Sequence, residues 1–272
     1  MDFYKGSIPI IDDSSKDMLE VPEGMGRGYV PRDYNAYPET MFASPPSEMV
    51  VYKESEWDAL YNEQEEKKCS LEHLYLPDGK NPVFPNLDQG PNGYCWMFSK
   101  GTAMMMLRLL NNQPIVRLNP TSTAALVKNF RDEGGWCGLG VEELRTIGMA
   151  DDNHWPGNSR DRRNDTTEMR TNASKYRLVE EWYDLSRPVH GQKLTKLQLA
   201  TCGFNLIPCP SDFMWWSHSV CQIRWVRIEK GSWGPLILNQ WANWGRSGLA
   251  VLRGSKANAD GAIALSAVTA SH

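Results

Sequence analysis

The sequence lacks the features that identify a membrane protein or a disulfide-stabilised scaffold. No stretch approaches the ~20 apolar residues that a membrane-spanning helix requires. Residues 1–10 contain no apolar run preceded by basic residues, so we expect no Sec-type secretion. The six cysteines in 272 residues form no Cys-x-x-Cys pair. We therefore expect free thiols in a reducing, cytoplasmic compartment and no membrane partner.

The sequence also lacks an excess of positive charge. Its net charge is -4, and the short basic cluster at 160–163 is interrupted by Asp161. Such a chain has no basic field to attract nucleic acid, so we expect protein or peptide partners. The hydrophobic fraction of 41% suits an ordinary packed core.

The N-terminal segment is rich in proline and glycine and has no helical or strand period. Residues 1–48 therefore predict an extended arm that cannot form its own core and is held against its own domain or a neighbouring subunit. Ser55 and the residues after it resemble a capping box, which predicts one short helix from Trp57 to Lys68. We expect an arm over residues 1–80 and a single domain over residues 81–272.

The domain changes character along its length. Residues 71–87 predict a loop and residues 158–171 a polar surface insertion. Helices are predicted from Tyr94 to Leu110, Ser122 to Phe130, Val141 to Ile147 and Ala173 to Tyr183. Strands are predicted at Phe204 to Ile207, Val220 to Ile228, Leu236 to Leu238 and Leu249 to Leu252. This order predicts an α+β fold in which a helical lobe (about 88–200) and a β lobe (about 201–272) meet at a cleft.

Cys95 has the local sequence of a reactive thiol. It lies where the helix that begins near Tyr94 starts, and a helix N-terminus favours the thiolate form of a cysteine. The preceding residues, 88–94, are rich in turn formers, which would direct backbone N–H groups toward a developing oxyanion. The side chain of Gln89 could add another N–H. These residues predict a cysteine nucleophile with an oxyanion pocket.

This segment resembles the nucleophile motif of the papain family of cysteine peptidases. The matching pattern is Gln89-Gly90-x-x-Gly93-x-Cys95-Trp96-x-Phe98-Ser99. The resemblance implies a papain-like two-lobed fold, hydrolysis of peptide bonds, and an oxyanion pocket formed by the Gln89 side chain and the Cys95 N–H.

A second segment, Gly134-Gly135-Trp136, is similar to the glycine pair of the same family. The resemblance implies that Gly135, next to Gly134, pairs with the substrate backbone. The family commonly bridges two cysteines between these segments, whereas this sequence has Asn92 and Asp132 at those places.

The third part of the resemblance contains His218 and the segment Asn239-Gln240-Trp241. His218 would take the proton of Cys95, Asn239 would orient the imidazole, and Trp241 would shield their hydrogen bond from water. The chain departs from the family in the short spacing between Trp241 and the next tryptophan, so we expect a reshaped loop behind Asn239.

The resemblance leaves residues 1–80 and about 158–200 unmatched, and no helical proregion is recognisable in the arm. The whole arrangement is similar to papain-like proteins encoded among bacteriophage structural genes. That similarity implies a virion or assembly role in which the arm docks on neighbouring subunits.

Three functions are compatible with these residues. The first is a thiol endopeptidase acting on a protein or peptide substrate, and the second is a virion or assembly protein with weak or lost peptidase activity. The third is a cell-wall hydrolase of the cysteine amidase type, which would not require Gln89 or Trp241. A zinc site built from Cys202, Cys209, His218 and Cys221 has irregular spacing, so we expect no metal and no cofactor.

Overall fold

The computed structural model describes residues 8–15, 20–37, 50–179, 182–185 and 195–265. Parts of the predicted arm (1–7, 16–19 and 38–49) lie outside the described residues, as do residues 180–181 of a predicted helix and residues 186–194 and 266–272 of the predicted domain.

Helices form the first half of the described domain. They run over Trp57–Lys67 (α1), Leu71–Tyr75 (α2), Cys95–Leu110 (α3), Pro120–Val127 (α4), Val141–Thr146 (α5), Thr167–Ala173 (α6) and Lys196–Phe204 (α7). Within the described ranges, no helix combines the length and the hydropathy needed to cross a membrane.

The strands form one mixed sheet. They run over Ile10–Ile11 (β1), Trp182–Asp184 (β2), Cys209–Phe213 (β3), His218–Glu229 (β4), Ser232–Leu238 (β5), Leu249–Leu252 (β6) and Gly261–Leu265 (β7). Their order is β1-β6-β5-β4-β3-β7-β2, and only the β1–β6 pair is parallel among the described strands. The central strand β4 packs against helix α3.

Helix α3 is the buried centre of the molecule. Its residues from Cys95 to Arg108 are all buried, in keeping with a sequence that is apolar on nearly every side. It begins after a turn in which Gly90 has a φ of 55°, a conformation that glycine adopts without strain. The first residue of this helix is therefore fixed between the helical lobe and the sheet.

The register of the sheet brings two distant segments to one end. Cys221 on β4 pairs with Leu238 on β5, so His218 at the start of β4 and Asn239 just after β5 lie next to each other. Strand β3 pairs on the other side of β4, with Phe213 opposite His218. His218 and Asn239 of the β lobe thus lie beside the start of α3.

The predicted α+β order, with helices before strands, is confirmed. The helix over Cys95–Leu110 and the strand over Leu249–Leu252 have the predicted bounds to within a residue. Helix α1 also matches its prediction, because it ends at Lys67 with Lys68 in the left-handed conformation.

Two predicted elements in the middle of the chain are wrong. The segment Phe204 to Ile207 is not a strand; Phe204 ends helix α7, which begins with a capping box between Thr195 and Gln198. The predicted helix from Ala173 to Tyr183 is also wrong over its described residues. Thr166 caps α6, which ends at Ala173 and is followed by a turn at residues 174–175. Trp182 then pairs with Leu265 on β7. Long-range strand pairing here overrides the local helical pattern.

The loop predicted for residues 71–87 is wrong over Leu71–Tyr75, which form helix α2. Ser70 caps this helix by accepting a hydrogen bond from the backbone N–H of His73. The polar stretch predicted as a surface insertion carries a 3-10 turn at Arg162–Asn164 and then most of α6.

The described part of the arm lies against its own domain. Ile10 and Ile11 pair in parallel with Val251 and Leu252 at the edge of the sheet, and Ile11 is fully buried. Pairing with the arm covers an edge strand that would otherwise expose free backbone groups.

Helix α1 is fixed to the back of β4 by a buried cation. The guanidinium of Arg224 is fully buried and lies 2.7 Å from the carboxylates of Glu65 on α1 and Glu72 on α2. Its Nε also donates to Gln64 at 3.2 Å. A buried charge with several partners makes this contact specific to one arrangement of the two helices.

Removing this cation should destabilise the protein strongly. We expect Arg224→Ala to lower the free energy of unfolding by about 3 kcal/mol, because Glu65 and Glu72 then lose their shared partner in a partly buried site. Urea denaturation measures the change. Lys67→Ala removes the exposed Lys67–Glu63 pair on the same helix and serves as the control, with no measurable loss expected. Equal effects of the two substitutions would contradict this account.

Candidate active site

Cys95 is the first residue of α3 and is completely buried. Burial raises the pKa of its thiol to about 12, against the lowering effect of hydrogen bonds from Ser219 and from the Gly28 backbone. Ser219 follows His218 directly in the sequence, so the thiol lies beside the start of β4. In this structure the thiol is therefore held in its neutral form.

His218 and Asn239 form a direct hydrogen bond. The distance from His218 Nε2 to Asn239 Oδ1 is 2.8 Å, and both side chains are fully buried. Because an amide oxygen only accepts, Nε2 carries the ring proton and Nδ1 of the neutral imidazole retains its lone pair. Within the described residues, His218 Nδ1 has no hydrogen-bond partner. The arrangement leaves a base available on the ring.

Tryptophan rings enclose this histidine. Trp241 stacks on His218 with ring centroids 4.3 Å apart and an interplanar angle of 23°, and Trp216 meets the imidazole edge-on at 5.2 Å. Both indoles are buried. A water-excluded hydrogen bond is stronger than the same bond in solvent, so the rings stabilise the orientation that Asn239 imposes.

Gln89 directs its side-chain amide into the same cleft. Its Nε2 donates to the carbonyl oxygens of Gly26 and Asn92, each at 2.9 Å, and Trp241 Nε1 donates to the Gly26 oxygen at 3.1 Å. The Gln89 backbone N–H donates to Gln240 O at 3.0 Å, which links the turn before Cys95 to the loop after Asn239. Two donors from different lobes thus converge on one peptide carbonyl.

That carbonyl belongs to the N-terminal arm, which runs through the cleft. Gly26 N–H donates to Gly90 O at 2.7 Å, and Gly28 O accepts from Gly135 N–H at 2.8 Å. Val30 N–H donates to Gly135 O at 2.9 Å, so the arm and the Gly135 segment form a short parallel bridge. The arm binds in the cleft through backbone hydrogen bonds, as a peptide would.

Two glycines of the arm fit positions that no side chain could occupy. A Cβ on Gly26 would lie 2.4 Å from the carbonyl oxygens of Pro91 and Asn92, and a Cβ on Gly28 would lie 1.9 Å from Gly93 O. These contacts are with backbone atoms, which cannot move away cheaply. Glycine at 26 and 28 is therefore a condition for the arm to lie here.

Burial suppresses ionisation of the histidine, and a charge on the arm adds to this effect. Burial lowers the pKa of His218 to about 3, a lowering that the hydrogen bond to Asn239 opposes and the charge of Arg27 on the arm reinforces. Burial acts on the thiol and the imidazole together, since both charged forms lose solvation. Burial thus favours the neutral forms of both Cys95 and His218 in this arrangement.

The remaining predicted site residues lie around this segment. Gly134 has no room for a Cβ because Gly28 O would lie 2.4 Å away, and a Cβ on Gly135 would lie 2.8 Å from the Trp96 ring. The related family commonly has a disulfide between these segments, and this chain has Asn92 and Asp132 at those places. The carboxylate of Asp132 accepts a hydrogen bond from the backbone N–H of Gly93, the residue after Asn92, at 2.7 Å. A hydrogen bond connects the two segments at this point.

All six cysteines fall within the described residues and are free thiols; Cys69 is exposed and the other five are buried. Across the described ranges, no group of three or more His, Cys, Asp or Glu side chains is placed to hold a metal ion. His218, which the zinc alternative would use as a ligand, is hydrogen-bonded through Nε2 to Asn239.

Comparison with known proteins gives matches at the level of structure only. No protein-family model matches the chain, and no curated protein matches it significantly in sequence. Xylellain, a cysteine protease from Xylella fastidiosa, has a similar structure with a TM-score of 0.61 and 17% identity, over 90% of this chain and 97% of that one.

Two further similar structures are those of a procathepsin and of a cysteine protease in its proform. Procathepsin L 3 of the Tenebrio molitor larval midgut has a TM-score of 0.53 and 15% identity, over 77% of this chain and 87% of that one. The proform of the Amb a 11 cysteine protease, a major ragweed pollen allergen, has a TM-score of 0.52 and 14% identity, over 67% and 63%. The fold of this chain is that of the papain-like cysteine proteases.

The path of the arm is the part of the site that the sequence analysis missed. The alternation Gly24, Gly26, Gly28 is a signal that could have found it, because glycine at every second position suits an extended strand that passes close to other backbone. Nothing in the arm itself indicates the cleft as its destination.

The ionisation of His218 should depend on the arm. In full-length Cys95→Ala, we expect NMR to give a His218 pKa of about 3, and the added Gly26→Ala substitution to move it toward the ordinary value of 6.5. Because the buried value is the lower one, His218 stabilises the closed arrangement above pH 6.5 and this contribution is lost as the pH falls toward 3.

Gly24→Ala is the control for that titration, because its Cβ meets nothing within 4 Å. It should leave the pKa of His218 at its buried value. If Gly26→Ala leaves the pKa of His218 unchanged, then burial by the arm is not the cause of the low pKa.

Proposed function

We propose that this protein is a cysteine endopeptidase that cleaves peptide bonds with Cys95, His218 and Asn239. The observation that carries the proposal is the peptide already in the cleft. The carbonyl of Gly26 accepts hydrogen bonds from Gln89 Nε2 and Trp241 Nε1. Two residues further along the arm, the Gly28 backbone contacts the buried thiol of Cys95. A site that binds a peptide carbonyl next to a cysteine and a free imidazole nitrogen has the parts for acyl transfer.

The chemistry would proceed in two stages. His218 Nδ1 takes the thiol proton, and the sulfur of Cys95 bonds to the carbonyl carbon while Gln89 Nε2 and the Cys95 N–H stabilise the oxyanion. His218 then returns the proton to the leaving amine as the C–N bond breaks. Water next adds to the thioester and passes its proton to His218, and the C–S bond breaks to release the acid and restore the thiol.

Asn239 and Trp241 would act through His218. The Asn239 oxygen keeps the proton on Nε2, so that Nδ1 faces the reaction, and the Trp241 ring keeps water away from that hydrogen bond. Removing the orienting partner of a catalytic base lowers the rate because the wrong nitrogen then carries the proton.

In the arrangement described here, the peptidase would be closed by its own chain. Gly26 to Val30 occupy the backbone sites that a substrate would need, and the buried pair of Cys95 and His218 is neutral. Activity would therefore require the arm to leave the cleft. The substrate would then replace the hydrogen bonds of Gly26 and Gly28 with its own.

A second candidate is a structural or assembly protein, including one of a phage virion, that keeps the scaffold without the activity. The full burial of Cys95 and His218 favours it, since a permanently closed site needs no reactive thiol. Under that function, the arm would hold the protein in one shape or reach neighbouring subunits. The third candidate, a cell-wall amidase, gives no role to the Gln89 and Trp241 contacts.

Displacing the arm should activate the protein. We expect Gly26→Ala to increase labelling of Cys95 by an epoxide selective for papain-like thiolates, by ~10-fold or more, because the new Cβ excludes the arm from the cleft. Hydrolysis of an unstructured protein such as casein should rise in parallel. Peptide mass mapping locates the label, and Gly24→Ala is the matched control.

Two further variants assign the roles. In the Gly26→Ala background, His218→Ala should lower hydrolysis by roughly 10²- to 10⁴-fold, the contribution of a general base. Gln89→Ala should lower kcat by about 10²-fold, as expected for one oxyanion donor. Folded Gly26→Ala that binds a peptide in its cleft but shows neither labelling nor hydrolysis would support the assembly function. That result would exclude the peptidase.

A further inference from the structure

The proton of the Cys95 thiol is not directed at His218 in this structure. Within the described residues, His218 Nδ1 has no hydrogen-bond partner, so the thiol does not donate to the imidazole. The thiol instead forms hydrogen bonds with the backbone and the hydroxyl of Ser219, and with the Gly28 backbone. The proton that the proposed chemistry transfers to His218 therefore has another partner while the arm is in place.

The hydroxyl of Ser219 is bonded in turn to a buried carboxylate. Ser219 on β4 pairs with Asp212 on β3, and its hydroxyl donates to Asp212 Oδ1. Asp212 is only 2% exposed, and Ser219 is fully buried. A hydroxyl has one hydrogen, so Ser219 Oγ can only accept from the thiol once that hydrogen is bonded to Asp212. The thiol of Cys95 is therefore the donor in its bond to this hydroxyl.

The partners of Asp212 favour its ionised form. Besides the Ser219 hydroxyl, the backbone N–H of Cys137 donates to its Oδ2 at 2.8 Å, and the Cys137 thiol also bonds to the carboxylate. Hydrogen bonds donated to a carboxylate stabilise its charge. Burial acts in the opposite direction and raises the pKa of Asp212 to about 6. The group is therefore still negatively charged at neutral pH.

Lys100 fixes this carboxylate relative to helix α3. Lys100 is fully buried, and its Nζ donates to Cys137 O at 2.8 Å and to Trp96 O at 2.7 Å. Its positive charge also favours the ionised form of Asp212. The backbone of Cys137 is thus held between an anion at its N–H and a cation at its carbonyl oxygen. These bonds connect Asp212 to the helix that begins with Cys95.

The other charged groups of this region come from the arm and from the segment before β7. The Asp260 N–H donates to Asp212 O at 2.8 Å. Burial, followed by the charges of the two carboxylates, raises the pKa of the Tyr29 phenol, so Tyr29 is neutral. Arg27 acts on the neighbouring imidazole. Among the charged groups, Asp212 has the largest effect on Cys95, and it adds to the effect of burial in raising the pKa of the thiol.

We propose that Asp212 is a positioning residue for Cys95, which it holds through Ser219 as a protonated thiol directed at the hydroxyl rather than at His218. The carboxylate acts in two ways. It binds the hydrogen of the Ser219 hydroxyl, which then cannot donate to a thiolate, and its charge opposes a second negative charge on the sulfur. This inference rests on the proposed function, since it assigns a further residue to the same nucleophile.

Proton transfer to His218 then requires the thiol to break its bond with Ser219. The S–H bond breaks, an N–H bond forms at Nδ1, and the hydroxyl stays bonded to Asp212, so no other reactant is needed. Asp212 and Ser219 lie on strands β3 and β4, which remain when the arm leaves the cleft. The arm and Asp212 are therefore two separate controls on one thiol.

The direction of the thiol proton is tested in the full-length chain. The infrared S–H stretching band of Cys95 is obtained as the difference from Cys95→Ala. We expect a frequency lowered by donation to the hydroxyl. Ser219→Ala should raise the frequency toward that of a thiol without a partner, whereas Ser219→Thr, which keeps a hydroxyl, should retain the low value. A band that Ser219→Ala leaves unchanged would overturn the inference.

The effect of the carboxylate on ionisation is tested in the Gly26→Ala background. The rate of Cys95 alkylation by iodoacetamide is measured against pH, with the label located by peptide mass mapping. We expect added Asp212→Asn to make labelling roughly 10-fold faster at neutral pH and to lower the midpoint of the profile by about one pH unit. The amide oxygen keeps the Cys137 N–H while the amide hydrogens face Ser219 Oγ, so the hydroxyl can donate to the thiolate.

Asp78→Asn is the control for net charge, because Asp78 is exposed and accepts within a local turn that asparagine can also form. It should leave the profile unchanged. Equal or slower labelling in folded Asp212→Asn would overturn the inference, and the infrared band decides if that variant does not fold. Failure of Gly26→Ala to hydrolyse any peptide would overturn the peptidase function instead, because neither readout requires turnover.

Discussion

Two hydrogen bonds to one carbonyl oxygen, that of Gly26, organise the whole site. Gly26 O accepts from Gln89 Nε2 in the helical lobe and from Trp241 Nε1 in the β lobe. Both side chains are buried, and a buried donor left without a partner costs about 1 to 3 kcal/mol. The arm therefore stabilises the contact between the lobes. Under the proposed function, the arm would also compete with a substrate for the same donors, so closure and recognition would depend on the same groups.

Local chemistry allowed much of this site to be predicted from the sequence. The turn formers before Cys95 and the apolar helix after it specify where α3 begins, and the structure has that start. The short apolar runs around His218 and Asn239 predict adjacent strands, and the register of β4 and β5 brings the two side chains within 2.8 Å. The α+β order follows from the same patterns. The roles of these residues stay predictions.

The features that the sequence could not predict depend on distant partners. Strand β2 at Trp182 exists because Leu265 pairs with it, and the local pattern there favoured a helix. The path of Gly26 and Gly28 is fixed by backbone oxygens of residues far along the chain, which leave no room for a Cβ. Neither feature can be predicted from the residues next to it in the sequence.

The central claim is that Cys95 forms a covalent acyl intermediate once the arm leaves the cleft. The direct measurement is intact mass after Gly26→Ala is mixed with a peptide ester and quenched in acid within milliseconds to seconds. The account predicts an adduct of the acyl mass that maps to Cys95 and is absent from the variant that also carries Cys95→Ala. A peptide that binds to the open cleft without forming any adduct would contradict the claim.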